Sequence, residues 1–291
     1  MPRGPQLKYA LPLAALAIAL AVAPADAQMM LPGAQQAAPE SPSKGANPAP
    51  GEAVRPKPVT PRPPGEETIV DRDLARNGSQ GLIRFQRAPG AALQITALSL
   101  AGELITHPGE ACRLDIVAGA PIAAKPTGNP RGLLRYDVDI EACPFSFDAL
   151  DGAVLVTREG KTCDFAAADC RVDPTGLWGP AAIDDKEVKQ IEHARGGAEA
   201  TVRANFRALL TSAGKDKAAI KAIVGEQAAF SSEREMACRD YAHEDSTGFC
   251  ALRLTQARAF ALEAQLASKN KHAEPKKPRA PKAKAEAAPQ P

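Results

Sequence analysis

What the chain lacks narrows its chemistry first. Its four histidines, His107, His193, His243 and His272, are scattered along 291 residues, and none belongs to an H-E-x-x-H ligand pair. There is no C-x-x-C, no G-x-S-x-G turn and no G-x-x-x-x-G-K-[ST] loop. Zinc, an exposed serine nucleophile and phosphate cradling therefore lose their usual signatures. Aromatic residues make up only 4%, with Trp178 the single tryptophan, so a folded domain here needs support beyond a ring-rich core. The formal net charge is +2, and nucleic acid is not an expected partner. No catalytic residue, metal or cofactor is assigned, and the chain is not expected to be an enzyme. The enzymatic alternative is a paired-carboxylate site on a strand, for instance Asp137, Asp139 and Glu141, because such pairs leave no sequence pattern.

The N-terminus carries two basic residues, Arg3 and Lys8, then the apolar run "ALPLAALAIALAVA" and the small residues Ala25 and Ala27. This order describes a signal peptide over residues 1–27, cleaved before Gln28. The run is too short to span a bilayer, and no membrane span is expected after cleavage. The mature chain is then periplasmic or secreted, an oxidising setting in which thiols pair. All six cysteines, Cys112, Cys143, Cys163, Cys170, Cys238 and Cys250, lie in that mature part. An even count without close-spaced pairs reads as a disulfide framework. The first four allow three connectivities, of which Cys112 with Cys143 and Cys163 with Cys170 is the favoured one.

Residues 31–65 hold ten prolines and almost no large apolar side chain, so residues 28–67 are expected to form a disordered linker. Residues 269–291 carry seven Lys/Arg against two Glu and are expected to be a disordered basic tail. Residues 28–268 hold 27 basic and 31 acidic side chains, so a mildly acidic body trails a basic extension suited to anionic envelope polymer.

Between linker and tail the pattern changes once. Over residues 68–178 short runs alternate at period two. In "LLRYDVDIEA", Leu134, Tyr136, Val138 and Ile140 share one face and Arg135, Asp137, Asp139 and Glu141 the other. "LIRFQ", "LQITALSL", "CRLDIV", "FSFDAL" and "AVLVT" behave alike between turn signals. An antiparallel sandwich or small barrel is expected, closed off by "GLWGP", where Trp178 packs at a joint. Over residues 181–268 helical spacing takes over. Val202, Phe206, Leu209 and Leu210 form one stripe, ending near "SAGKD". A second helix runs from about Lys217 through Ile220, Ile223, Val224 and Phe230 to Cys238. A third follows "DSTG", with Asp245, Ser246 and Thr247 as candidate caps, and carries Cys250, Leu254, Arg258, Leu262 and Leu266. The fold class is α+β in two domains, a β domain followed by a disulfide-closed three-helix bundle.

With the second and third helices antiparallel, Gln227, Phe230, Arg234 and Cys238 meet the face of Cys250, Leu254 and Arg258. A rise of about 1.5 Å per residue sets Arg258 level with Phe230 and Gln227. Gln227, Arg234 and Arg258 thus form a polar seam that must find acceptors such as Glu226 or Glu235; a functional anion site is the sharper alternative. A Cys238–Cys250 bridge would hold the polar tip Asp240, Tyr241, His243, Glu244 and Asp245 on a rigid base as partner-binding candidates.

The string "QAAFSSEREMACRDYAHEDSTGFCALRLTQARAFAL" resembles the helical domain of the LprI-like lysozyme-inhibitor family. Gln227, Arg234, Cys238, Cys250, Thr255, Arg258 and Leu262 fall on that family's hairpin pattern; Phe230 stands where Trp is usual and Glu235 where Asp is usual. "ANFRALL", residues 204–210, is similar to the family's preceding helix. The resemblance covers about residues 185–268 and departs from the family ahead of the first helix. There a further cysteine pair is usual, whereas Cys163 and Cys170 here fall in the β domain. It implies a bacterial secreted or envelope protein and, for some members, inhibition of lysozyme. The expected function is a protein-binding module that inhibits lysozyme or another peptidoglycan hydrolase by occlusion. The alternatives are a structural envelope protein anchored through its tail, or the carboxylate enzyme above.

Overall fold

Among the described residues the chain forms eleven strands, and eight of them close a ring. The structure, a computed structural model, describes residues 62–272; the expected signal peptide, the linker up to residue 61 and the tail from residue 273 lie outside the described residues. The strands are β1 (Asp73–Arg76), β2 (Gln80–Arg87), β3 (Leu93–Leu104), β4 (Ala111–Asp115), β5 (Ile122–Gly128) and β6 (Arg135–Val138). They continue with β7 (Phe145–Leu150), β8 (Ala153–Thr157), β9 (Cys163–Phe165), β10 (Cys170–Val172) and β11 (Gly176–Gly179). Every pairing between them is antiparallel, and the order β1-β2-β3-β5-β6-β7-β8-β11 returns to β1. Of the two expected closures, the barrel is the one formed.

The long strand β3 serves two structures. Its first half pairs with β2 and β5 in the barrel; its second half carries β4 on one edge and β10 on the other, with β9 beyond β10. Gly102 lies where these strands crowd, since a Cβ there would sit 2.0 Å from the carbonyl oxygen of Arg171. The disulfides follow this topology rather than sequence proximity. Cys112 on β4 and Cys170 on β10 bond to each other, and Cys143 bonds to Cys163. The pairing favoured from sequence, Cys112 with Cys143 and Cys163 with Cys170, is therefore corrected. In the β9–β10 ladder Cys163 lies opposite Val172 and Cys170 opposite Phe165, an offset of two residues that makes the two cysteines diagonal rather than facing. Cys112 and Cys170 instead flank the same stretch of β3, opposite Gly102 and Leu104.

Phe85, Phe147 and Tyr136 form the centre of the barrel, with ring centroids 4.9 Å and 5.1 Å apart along the series. The period-two reading of β6 holds, with Tyr136 and Val138 buried and Asp137 exposed. The Tyr136 hydroxyl donates to Glu66, which also takes an ion pair from Arg87 at 2.6 Å. Glu66 belongs to a 3₁₀ turn, Glu66–Thr68, so ordered structure begins inside the stretch expected to be linker. Trp178 packs as expected, 2% exposed on β11, the strand that ends the β part, though within the barrel cluster rather than against the helices, with its indole nitrogen donating to the Pro174 carbonyl at 2.8 Å.

The helices are α1 (Asp185–Ala213), α2 (Lys217–Cys238), the single turn α3 (Glu244–Thr247) and α4 (Phe249–His272). Asp184 caps α1 by accepting from Glu187 N at 2.7 Å, and Asp216 caps α2 by accepting from Ala218 N and Ala219 N. Gly214, at φ 58°, ends α1 where "SAGKD" was expected to. α4 starts just after "DSTG", but Asp245, Ser246 and Thr247 lie in α3. The Glu244 carboxylate caps α4, accepting from Cys250 N at 2.8 Å and Ala251 N at 2.9 Å, and of the three expected caps Thr247 Oγ1 accepts from Phe249 N at 3.4 Å. α4 runs to His272, past the expected start of the tail.

The outward side chains Leu150 of β7, Ala153 of β8 and Leu177 of β11, with Leu133, share one buried cluster with Ile191, Phe249, Leu252 and Phe260 of the helices. That cover explains why β7 and β8 are largely buried on both faces. A further cluster joins Val202 and Leu209 of α1, Ile223 of α2 and Leu262 and Leu266 of α4. Among the described residues no helix is long and apolar enough to cross a membrane.

Candidate binding surfaces of the helical hairpin

Cys238 ends α2 and Cys250 lies in the first turn of α4, and the two form a disulfide across 12 residues. The loop they close is fixed on the barrel as well as by the bridge. Ala242 N donates to the Asn77 carbonyl at 2.8 Å, and the Tyr241 ring stacks on Phe249. The five tip candidates therefore divide. Tyr241 is 4% exposed and points into the protein, where burial raises its phenol pKa above the usual range. Glu244 is half-buried and occupied as the α4 cap; burial raises its carboxyl pKa, while the backbone donors of Ala251 and Cys250 work the other way. Asp240, His243 and Asp245 face solvent. His243 adopts a left-handed conformation, φ 57°, at the turn into α3. The tip thus presents Asp240, Asp245 and His243, with exposed Arg239 beside them, on a backbone whose course is set by Tyr241, Asn77 and the disulfide.

Behind the tip, the polar seam forms in the expected register. Arg234 Nη1 donates to Thr255 Oγ1 at 2.9 Å, and Arg258 Nε donates to Gln227 Oε1 at 3.2 Å. Their guanidinium carbons lie 5.6 Å and 5.7 Å from the centre of the Phe230 ring, within cation–π range. Of the two acids expected as acceptors, Glu226 approaches Arg258 Nη1 at 3.8 Å. Burial lowers the Arg258 pKa, with Glu226 and Glu233 opposing. Its Nη2 is buried without a hydrogen-bond partner among the described residues.

The seam forms one wall of a cleft of about 440 Å³ between the hairpin and the outside of the barrel. Leu133, Leu155, Leu254 and Phe230 supply apolar lining, and Asp148 lies at its floor. Asp148 has a side chain only 3% exposed and is held by Arg131 at 2.5 Å and Arg135 at 2.8 Å. Sequence reasoning missed this triad. The signal available was an acid between the apolar residues Phe147 and Ala149 in "FSFDAL". Arg253 was missed for the same reason: it lies between Leu252 and Leu254, stacks 4.8 Å over Phe249 and pairs with Asp151 at 3.0 Å.

The carboxylates weighed for catalysis lie apart from this region on the solvated side of β6 and the turn after it. Asp137 accepts from Ser146 Oγ at 2.7 Å, Asp139 lies 3.8 Å from Lys125, and Glu141 is exposed. Among the described residues no group of three or more His, Cys, Asp or Glu is placed to hold a metal. Compared with protein-family models, with curated proteins and with solved structures, the chain finds no match.

Proposed function

We propose that this chain is a secreted or periplasmic protein-binding module whose helices α1, α2 and α4 act as an LprI-like three-helix unit. In this reading the hairpin tip occludes the active cleft of a lysozyme-type or other peptidoglycan hydrolase. The observation that carries it is the preorganised tip, held by the Cys238–Cys250 bridge, by the Ala242 to Asn77 hydrogen bond and by buried Tyr241, with Asp240 and Asp245 left exposed. A tip ordered before binding loses little further freedom on association, and exposed acids steer it toward a basic cleft. No covalent chemistry is required. The barrel serves as the base on which the tip is set.

Muramidase turnover, measured with several lysozyme types and the purified protein at micromolar concentration, tests the reading. Inhibition is expected, weakened by added salt and by Asp240→Lys with Asp245→Lys. Full turnover of every hydrolase at these concentrations would sink it.

A further inference from the structure

The cleft beneath α2 is not used by the tip. α2 is secured at its ends, by Ile223 in the cluster with Leu209 and Leu262 and by Cys238 in the disulfide, and no α2 residue between these two is buried. Small side chains, Ala229 and Ala237, face the gap over Leu133 and Leu155, so the helix bridges the barrel without filling the space below it. A volume of about 440 Å³ falls within the range that small ligands occupy, about 300–1,000 Å³.

Three arginines, Arg131, Arg234 and Arg258, and three acids, Asp148, Glu226 and Glu233, line the cleft, and Arg135 reaches Asp148 from outside the lining. Asp148 already has two arginines. Arg234 has a neutral hydroxyl for its hydrogen bond, and Glu226 stands 3.8 Å from Arg258, so among the described residues neither guanidinium has a close carboxylate beside the apolar wall.

We propose that this cleft binds an amphipathic monocarboxylate with a single apolar chain, of the fatty-acid class. Its carboxylate is held by Arg234 and Arg258 and its chain lies along Leu133, Leu155 and Leu254. A carboxylate matches the planar donor fork of a guanidinium and supplies the close anionic acceptor that both arginines lack. A cationic amphiphile would be repelled by both guanidiniums. A partner helix, about 10–12 Å across, would require α2 to move away, and the disulfide fixes its C-terminal end.

The test titrates the full chain with parinarate, a fluorescent polyene fatty acid, and displaces it with dodecanoate, dodecanol or dodecyltrimethylammonium. Saturable binding is expected, with dodecanoate about tenfold more effective than dodecanol and the ammonium ineffective. Arg234→Gln removes the advantage of the acid over the alcohol. Ala229→Trp, on an exposed α2 position, fills the cleft and abolishes binding without changing the circular dichroism spectrum. Asp240→Lys, on the tip, leaves dodecanoate binding unchanged, which separates this site from the hydrolase reading. Equal displacement by acid and alcohol, binding that survives Ala229→Trp, displacement only by an amphipathic helical peptide, or no saturable binding would each overturn the proposal.

Discussion

Tyr241 stacks on Phe249 with ring centroids 5.7 Å apart and planes at 27°, and both rings lie against the backbone of Gly179. A Cβ at residue 179 would lie 2.5 Å from the Tyr241 hydroxyl and 2.7 Å from the Phe249 ring. Both rings are buried and have no room to retreat. Gly179→Ala is expected to cost about 1–3 kcal/mol, by the usual penalty for overpacking, read as a lower urea midpoint with an unchanged slope.

The disulfide topology makes a covalent prediction. Non-reducing peptide mapping should recover Cys112–Cys170, Cys143–Cys163 and Cys238–Cys250, and no other bridged pair. Replacing Cys238 and Cys250 together by serine should lower stability by about 3 kcal/mol through the freed loop, and should weaken hydrolase inhibition further through loss of the preset tip.

Asp148 sits between Arg131 and Arg135 beneath the helices, and Asp148→Asn leaves two guanidiniums facing one another without an anion. Breaking a fully buried pair costs about 3–5 kcal/mol, but Arg131 is 51% exposed and can turn to water. A loss of about 1–3 kcal/mol is expected in chemical denaturation.

Glu244 gives a pH dependence of a definite sign. Burial raises its folded-state pKa above the unfolded value, so across that window the folded protein binds more protons and stability falls as pH rises. The contribution is full below the ordinary carboxylate range and lost once pH passes the raised value. Glu244→Gln removes this fall, so its stability curve should be flatter than wild type from the ordinary carboxylate range upward. A wild-type curve that climbs more steeply than the variant's there would contradict the assignment.

Strand and helix positions were legible because their patterns are local. Tyr136 and Val138 alternate with Asp137, and Val202 and Leu209 repeat with helical spacing. The seam was legible too, because Gln227, Phe230, Arg234 and Arg258 are ordered by helical rise once Cys238 meets Cys250. Ring closure was not, since nothing in β1 alone selects β11 as its neighbour. The first two bridges were missed for the same reason: their partners are set by which strands flank β3. Tyr241 was read as displayed because a polar loop hides the fact that a barrel turn, with Gly78 and Gly179, supplies the pocket for its ring.

The pairing of β1 with β11, Ala75 opposite Gly179, means that the barrel is sealed by its first strand meeting its last. A growing chain that has not yet reached residue 179 has two open edges, on β1 and β8, available to a neighbouring molecule. Sealing follows completion of the last strand and depends on a contact far apart in sequence, which makes it a slow step of assembly. C-terminal truncations that stop short of β11 should aggregate, whereas those ending beyond it can seal the ring.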